Sequence, residues 1–261
     1  MQGFYTEVLQ DLLKRNVLHR KMRILVVCGG LADREALLQA GFQSAVISNL
    51  DVRPNGNEFY PFESSVQDAE DLSYGDNSFD FCVVHSGLHH CYSPHRALLE
   101  MYRVARKGLL LFEPYDNLLT RLGVVLKLGQ EYEHAAVFYN DCSSGGVRNS
   151  SIPNYVYRWR EQEIVKTVNS WSPNGRHTFR FFHKTRIPWA QLKGRKNRGF
   201  YYAVLLLYPL IMAVRVLLPR QSNNFAALVL KPQFPHDLFP WLCSQDNTIR
   251  LNTSWLAEKY N

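Results

Sequence analysis

Apolar positions along this chain recur with two periods, and the changes from one to the other mark out its elements. Phe81-Cys82-Val83-Val84 is an unbroken apolar run within Phe79 to Val84, the form expected of a parallel strand covered on both faces. Arg23 to Val27, Ala45 to Ile47, Leu109 to Phe112 and Phe225 to Leu230 repeat it, and Thr178 to His183 reads as a further strand. Between the strands the spacing turns helical. Residues 4 to 20 put Tyr5, Val8, Leu9, Leu12 and Leu13 on one stripe, an amphipathic helix lying across the sheet. Asp33 is placed to cap a helix ending at Gly41; Ser93-Pro94 opens another, in which Leu98, Met101, Tyr102 and Ala105 repeat until Gly108 stops it. Asp116 to Lys127 and Trp159 to Val168 read as helices, with Gly129 to Ser151 irregular between them.

Strand, polar loop, helix, glycine, strand is a βαβ unit, so the pattern predicts an α/β fold with a doubly wound sheet and helices on both faces. In such sheets ligands sit beyond the carboxyl ends of the strands. Cys28-Gly29-Gly30 follows the first strand, either as a plain turn or as a loop that lets a ligand come close. Asn49 and Asp51 end the second strand about 20 residues on, where a polar or acidic side chain bonds ribose hydroxyls in doubly wound folds. Residues 53 to 64 read as a loop, and Val66 to Leu72 returns to the sheet edge carrying Asp68, Glu70 and Asp71.

The central strand runs into His85, Ser86, His89, His90 and Cys91, and the next one into Glu113. Histidine titrates near neutral pH, so His89 and His90 are the candidate general bases, and Glu113 would orient one of them or the reacting molecule. His85, His89, His90, Cys91 and His95 also invite a metal reading. They lie in a loop, however, and no second cluster completes a ligand set, so no metal is expected.

Taken in order, the glycine loop, the polar strand end, DAEDL, SFDFCVV, HSGLHH and LLEMYRVAR before a glycine resemble class I S-adenosylmethionine-dependent methyltransferases of the small-molecule, type 11-like kind. The resemblance covers about residues 22 to 114. It implies a Rossmann-like sheet with an acceptor-side insertion after the fifth strand and Phe225 to Leu230 as its antiparallel edge strand, and S-adenosylmethionine as cofactor. It puts Cys28, Gly29 and Gly30 against the methionine moiety, Asn49 or Asp51 on the ribose, Asp68 and Ala69 on the adenine edge, and His85 beside the sulfonium. The chain departs from the family pattern at Val26, where an acid is usual, and at Cys28 and Ala32, which replace outer glycines. The implied reaction is methyl transfer, preferably to a hydroxyl of a small molecule or of a glycan or glycolipid precursor, phosphorylated or not. A non-catalytic module docking at a membrane or partner is the alternative, and RNA methylation is less favoured.

Charge adds a partner to this picture. The net charge is +7, yet Glu163 to Asp237 encloses twelve cations and no acid, leaving −5 for the remainder. Such asymmetry fits an anionic substrate or membrane surface, with nucleic acid less favoured, or simply a well-solvated basic face. KGRKNR (193 to 198) leads into FYYAVLLLYPLIMAVRVLL (200 to 218), which Pro209 and Arg215 interrupt. A spanning helix is therefore not expected; residues 193 to 218 read as a core helix or as a peripheral membrane contact. Five cysteines without CxxC spacing, and no apolar leader, suggest a cytoplasmic protein. One methyltransferase domain is expected over 1–261: N-terminal helix 1–21, cofactor-binding core 22–116, insertion and acceptor side 117–200, apolar helix and last strand 201–232, tail 233–261.

Overall fold

The computed structural model describes residues 2–53, 56–187, 189–194, 198–246 and 248–261. Strands β1 (Arg23–Val27), β2 (Ser44–Asn49), β3 (Glu63–Val66), β4 (Phe79–His85) and β5 (Ala105–Pro114) are parallel. With β6 (Thr178–Lys184) and β7 (Asn224–Leu230) they form one sheet in the order β3-β2-β1-β4-β5-β7-β6, in which β7 is antiparallel to both neighbours. A separate hairpin joins β8 (Leu242–Gln245) to β9 (Thr248–Leu251).

Alternation along each strand builds two cores. Leu25, Val27, Cys82, Val84, Leu109, Leu111, Ala227 and Val229 point to one face, and Ile24, Val26, Phe81, Val83, Leu110, Phe112, Ala226 and Leu228 to the other. Helices α1 (Gln2–Lys14) and α2 (Leu31–Ala40) cover the second face, with Tyr5, Leu9, Leu12 and Leu37 fully buried. Helix α3 (Pro94–Val104) covers the first; its Ser93 Oγ accepts the Arg96 N–H, and Leu98 and Met101 are fully buried, each contributing roughly 1.5–3 kcal/mol. Short helices α4 (Leu118–Val125) and α5 (His134–Phe138) lie in the segment after β5, followed by α6 (Glu161–Trp171), which packs Ile164 and Val168 beside α3. Then come α7 (Trp189–Gly194), α8 (Gly199–Leu206), α9 (Tyr208–Leu217) and, at the end, α10 (Thr253–Tyr260).

Several expectations are corrected. The loop expected over residues 53 to 64 ends sooner, because Glu63–Val66 is the edge strand β3; it is polar because only β2 pairs with it and its side chains stay largely exposed. Asp33 does not begin α2. Gly30 is the N-cap, and Asp33 reaches back from the first turn to accept the Gly30 N–H at 2.9 Å. Gly108 does not stop α3, which ends at Val104, but lies inside β5, where the close approach of β7 suits glycine: a Cβ would lie 2.3 Å from the Val229 carbonyl oxygen. Phe225 to Leu230 is interior, with five consecutive buried residues, and the half-exposed β6 is the edge. The single apolar helix expected near 201 to 218 is two, broken ahead of Pro209, which stands in the first turn of α9. Neither belongs to the core: Leu206 is 82% and Val216 and Leu217 each 76% exposed. Of the basic cluster, Lys193 and Arg198 are exposed, while Arg195 and Lys196 lie outside the described residues. Among the described residues no helix is long and apolar enough to cross a membrane.

Candidate active site

The carboxyl ends of β1, β2, β4 and β5 share one edge of the sheet, and the chain is held tightly there. Cys28 and Ser86, just beyond β1 and β4, both take left-handed conformations, φ 52° and 56°, which side chains other than glycine adopt at a cost of order 1–3 kcal/mol each. Gly29 packs against the sheet: a Cβ would stand 2.6 Å from Val26 Cγ1 and 2.8 Å from Ile47 Cγ2. Its N–H donates to the Ser48 carbonyl, and its own carbonyl accepts from Asn49 Nδ2 at 2.8 Å. Asn49 Oδ1 in turn accepts the Asp51 N–H. Asn49 thus clamps the glycine loop, and Asp51 presents the carboxylate; its Arg53 partner holds that group below the usual carboxylate range.

These residues wall a hollow of about 290 Å³, close to the lower limit of the ~300–1,000 Å³ usual for small-molecule sites. Cys28, Asn49, Asp51, Asp68, Ala69 and His90 all line it, as do Ser86 and Gly87. Gly29 and Gly30 are not among its lining residues. At one end Arg148, from the segment after β5, lies 2.7 Å from Asp68 and 3.2 Å from Glu70. Glu70 is itself fixed by the N–H groups of Tyr92 and Ser93. The sequence pattern does not mark Arg148; the three acids in Val66 to Leu72 are the only hint that a cation must come from elsewhere.

A second hollow of about 320 Å³ opens on the same edge, lined by Phe4, His85, Phe112, Glu113, Lys184 and Arg186 among others. Ser86 lines both. His85 therefore faces this second space. Its ring stacks on Tyr5 with centroids 4.8 Å apart, and burial lowers its pKa to about 4, so the imidazole is neutral.

The two adjacent histidines part ways. His90 lines the first hollow, and burial pulls its pKa down. His89 lines neither and is only 5% exposed. Burial alone would lower the His89 pKa, but the Glu113 and Glu133 carboxylates outweigh it and lift it to about 10. Such an imidazolium has no lone pair with which to take a proton. Glu113, 2% exposed, organises the turn: Oε1 accepts the N–H groups of Gly87 and Leu88 at 2.9 and 2.8 Å, and Oε2 lies 2.7 Å from His89 Nδ1.

Residues 28–112 match the family described as a methyltransferase domain. No curated protein matches the chain. Among solved structures, YcgJ of Bacillus subtilis is 14% identical, with a TM-score of 0.50, covering 87% of this chain and 99% of its own. PH0226 of Pyrococcus horikoshii is 13% identical (TM-score 0.50; 87% and 89% covered). The [4+2]-cyclase SpnF is likewise 13% identical (TM-score 0.51; 87% and 81% covered). At such identities the likeness is one of fold, and it agrees with the sheet order and with a ligand hollow at the carboxyl edge. Over residues 28–112 the chain is thus similar to the methyltransferase-domain family, on a Rossmann-like α/β fold.

Proposed function

We propose that the chain methylates a hydroxyl group of an anionic small molecule or glycan precursor, with S-adenosylmethionine in the first hollow and the acceptor in the second. One observation carries the reading: the two spaces lie side by side on the carboxyl edge and share Ser86. The residues of the first fit an adenosyl group, since an acid, Asp51, stands at the end of β2 for the ribose, and Asp68 with the apolar Ala69 stands at the end of β3 for the base. When bound, the cofactor supplies a methyl group on a positively charged sulfur. The chain's part is placement: holding the acceptor oxygen close and in line while water is kept out contributes most of the rate. Lys184 and Arg186 offer cations to a phosphate or carboxylate, Phe4, Phe112 and Phe225 give apolar walls, and the neutral His85 presents a lone pair to the reacting hydroxyl.

Calorimetry with S-adenosylmethionine and transfer of labelled methyl groups from it to a cell extract test this. Asp51→Ala is expected to weaken cofactor binding about 10–100-fold, the worth of one hydrogen bond to a charged group. His85→Phe should bind cofactor normally and lose turnover. Because the fold is shared with a protein named as a cyclase, label transfer is the decisive readout. No binding heat and no labelled product would leave only a docking module.

The exposed apolar residues of α8 and α9, next to Lys193 and Arg198, favour an acceptor met at an anionic membrane face, as a glycolipid precursor would be. The full chain is then expected to sediment with vesicles containing anionic phospholipid, and the Leu206→Asp, Leu217→Asp double variant to stay in solution. A wild-type chain that ignores the vesicles ends this reading without touching the first.

A further inference from the structure

The fold brings a third group to the two histidines that the sequence leaves without a ligand set. We propose that His89, His90 and Glu133 form a binding site for a first-row divalent cation of the zinc type, which fastens the segment after β5 to the turn after β4. One ligand atom from each residue lies within 4.8 Å of the others. Glu133 Oε2 stands 3.3 Å from His89 Nε2 and 3.5 Å from His90 Nε2. Tetrahedral ligands held at bond lengths of ~2.0–2.1 Å are separated by roughly 3.3–3.4 Å, so two of the three edges already have the right length.

The remaining nitrogens fix the orientation of both rings. His89 Nδ1 faces Glu113 Oε2 at 2.7 Å, and His90 Nδ1 faces the Gly146 carbonyl at 3.4 Å. Both partners are acceptors, so each Nδ1 carries a hydrogen and each Nε2 is the atom left to face Glu133. An imidazole whose far nitrogen donates to a carboxylate or a backbone carbonyl is the arrangement that surrounds ligating histidines. Glu133 Oε2 is closed off from water, and no donor among the described residues meets it in hydrogen-bonding geometry. A cation would supply that partner, taking the place of any proton on His89 Nε2, which leaves to solvent. Two imidazoles and one carboxylate make a borderline donor set suited to zinc, with a fourth position for water.

The consequence is mechanical. Glu133 precedes α5, and its N–H donates to the Asn154 carbonyl, while Asn154 Nδ2 donates to the His89 carbonyl. These bonds already lay the segment across the turn, and His90 belongs to the wall of the first hollow. The ion would lock that wall, whatever molecule the hollow holds.

The test uses tag-free, full-length protein stripped with a chelator. Titration with Co2+ should give the visible absorption of a tetrahedral site, one ion per chain, bleached by Zn2+. With Zn2+ at a hundredfold excess over its dissociation constant, the thermal midpoint should rise on the order of 5–10 °C. Glu133→Gln, which keeps the size of the side chain, and His90→Asn, which is smaller but stays polar, should each lose both signals. Absence of the cobalt band and an unmoved midpoint in the wild type would mean that the three residues are only a hydrogen-bonded charge cluster, and would overturn the assignment. Equal responses in wild type and both variants would overturn it as well, by putting the ion elsewhere.

Discussion

Replacing Glu113 with alanine is expected to destabilise the protein by about 3–5 kcal/mol, the cost of removing one partner from a buried charged pair. The carboxylate sits at the end of β5 with two backbone N–H groups on one oxygen and the His89 ring on the other. Alanine takes the acceptor away from three donors, and it leaves the His89 imidazolium with Glu133 alone. Glutamine should cost less, roughly 1–3 kcal/mol: its carbonyl still accepts from Gly87 and Leu88, and only the His89 contact is reversed. Urea unfolding followed by circular dichroism separates the two. An alanine variant within about 1 kcal/mol of wild type would show that the turn stands without its clamp. There is also a dependence on pH. Since the His89 pKa is raised from 6.5 to about 10, its share of stability in metal-free protein is complete below 6.5 and disappears as pH climbs toward 10. The gap between wild type and alanine should narrow over that interval.

How much of this could be read from the chain follows from where each signal resides. β1, β4 and β5 are legible because a strand buried on both faces must be apolar at every position, and α3 because Ser93 and Pro94 announce it. β3 is illegible for the same reason in reverse: ESSV is an edge with little to bury. The site divides similarly. Asn49, Asp51, Asp68 and Ala69 come together because strand ends fix their positions, so a βαβ reading carries them along. Which of His89 and His90 faces a hollow depends on one 3-10 turn, Leu88–His90, whose rotation leaves no mark in composition. Arg148 and Glu133 approach from an irregular segment, and their partners are 78 and 44 residues away at Glu70 and His89; no periodicity encodes such a meeting. The long apolar run at 200 to 218 misleads in another way, since hydropathy alone cannot tell a core helix from an exposed one.

Gly87→Ala is expected to lower the proposed methyl transfer on the order of a hundredfold, the effect of shifting reacting groups by ~1 Å, while the sheet stays folded. The backbone there does not need glycine for its angles, with φ −122° and ψ −29°. It needs the space: a Cβ would lie 2.4 Å from Cys28 Cβ and 3.1 Å from Val84 Cγ2. Cys28 cannot retreat, because it is held at positive φ between β1 and the tightly packed Gly29. The turn after β4 has to move instead, drawing the Gly87 N–H away from Glu113 and the wall of the first hollow with it. Overpacking of this kind costs about 1–3 kcal/mol, so the variant should unfold earlier yet cooperatively. Cys28→Gly in the same chain should restore both stability and turnover, since it removes the opposing Cβ and suits the left-handed conformation at that position. Gly30→Ala is the control, because its Cβ would meet nothing within 4 Å. If Gly87→Ala turns over like wild type, or if Cys28→Gly fails to rescue it, the contact between the ends of β1 and β4 does not shape the hollow.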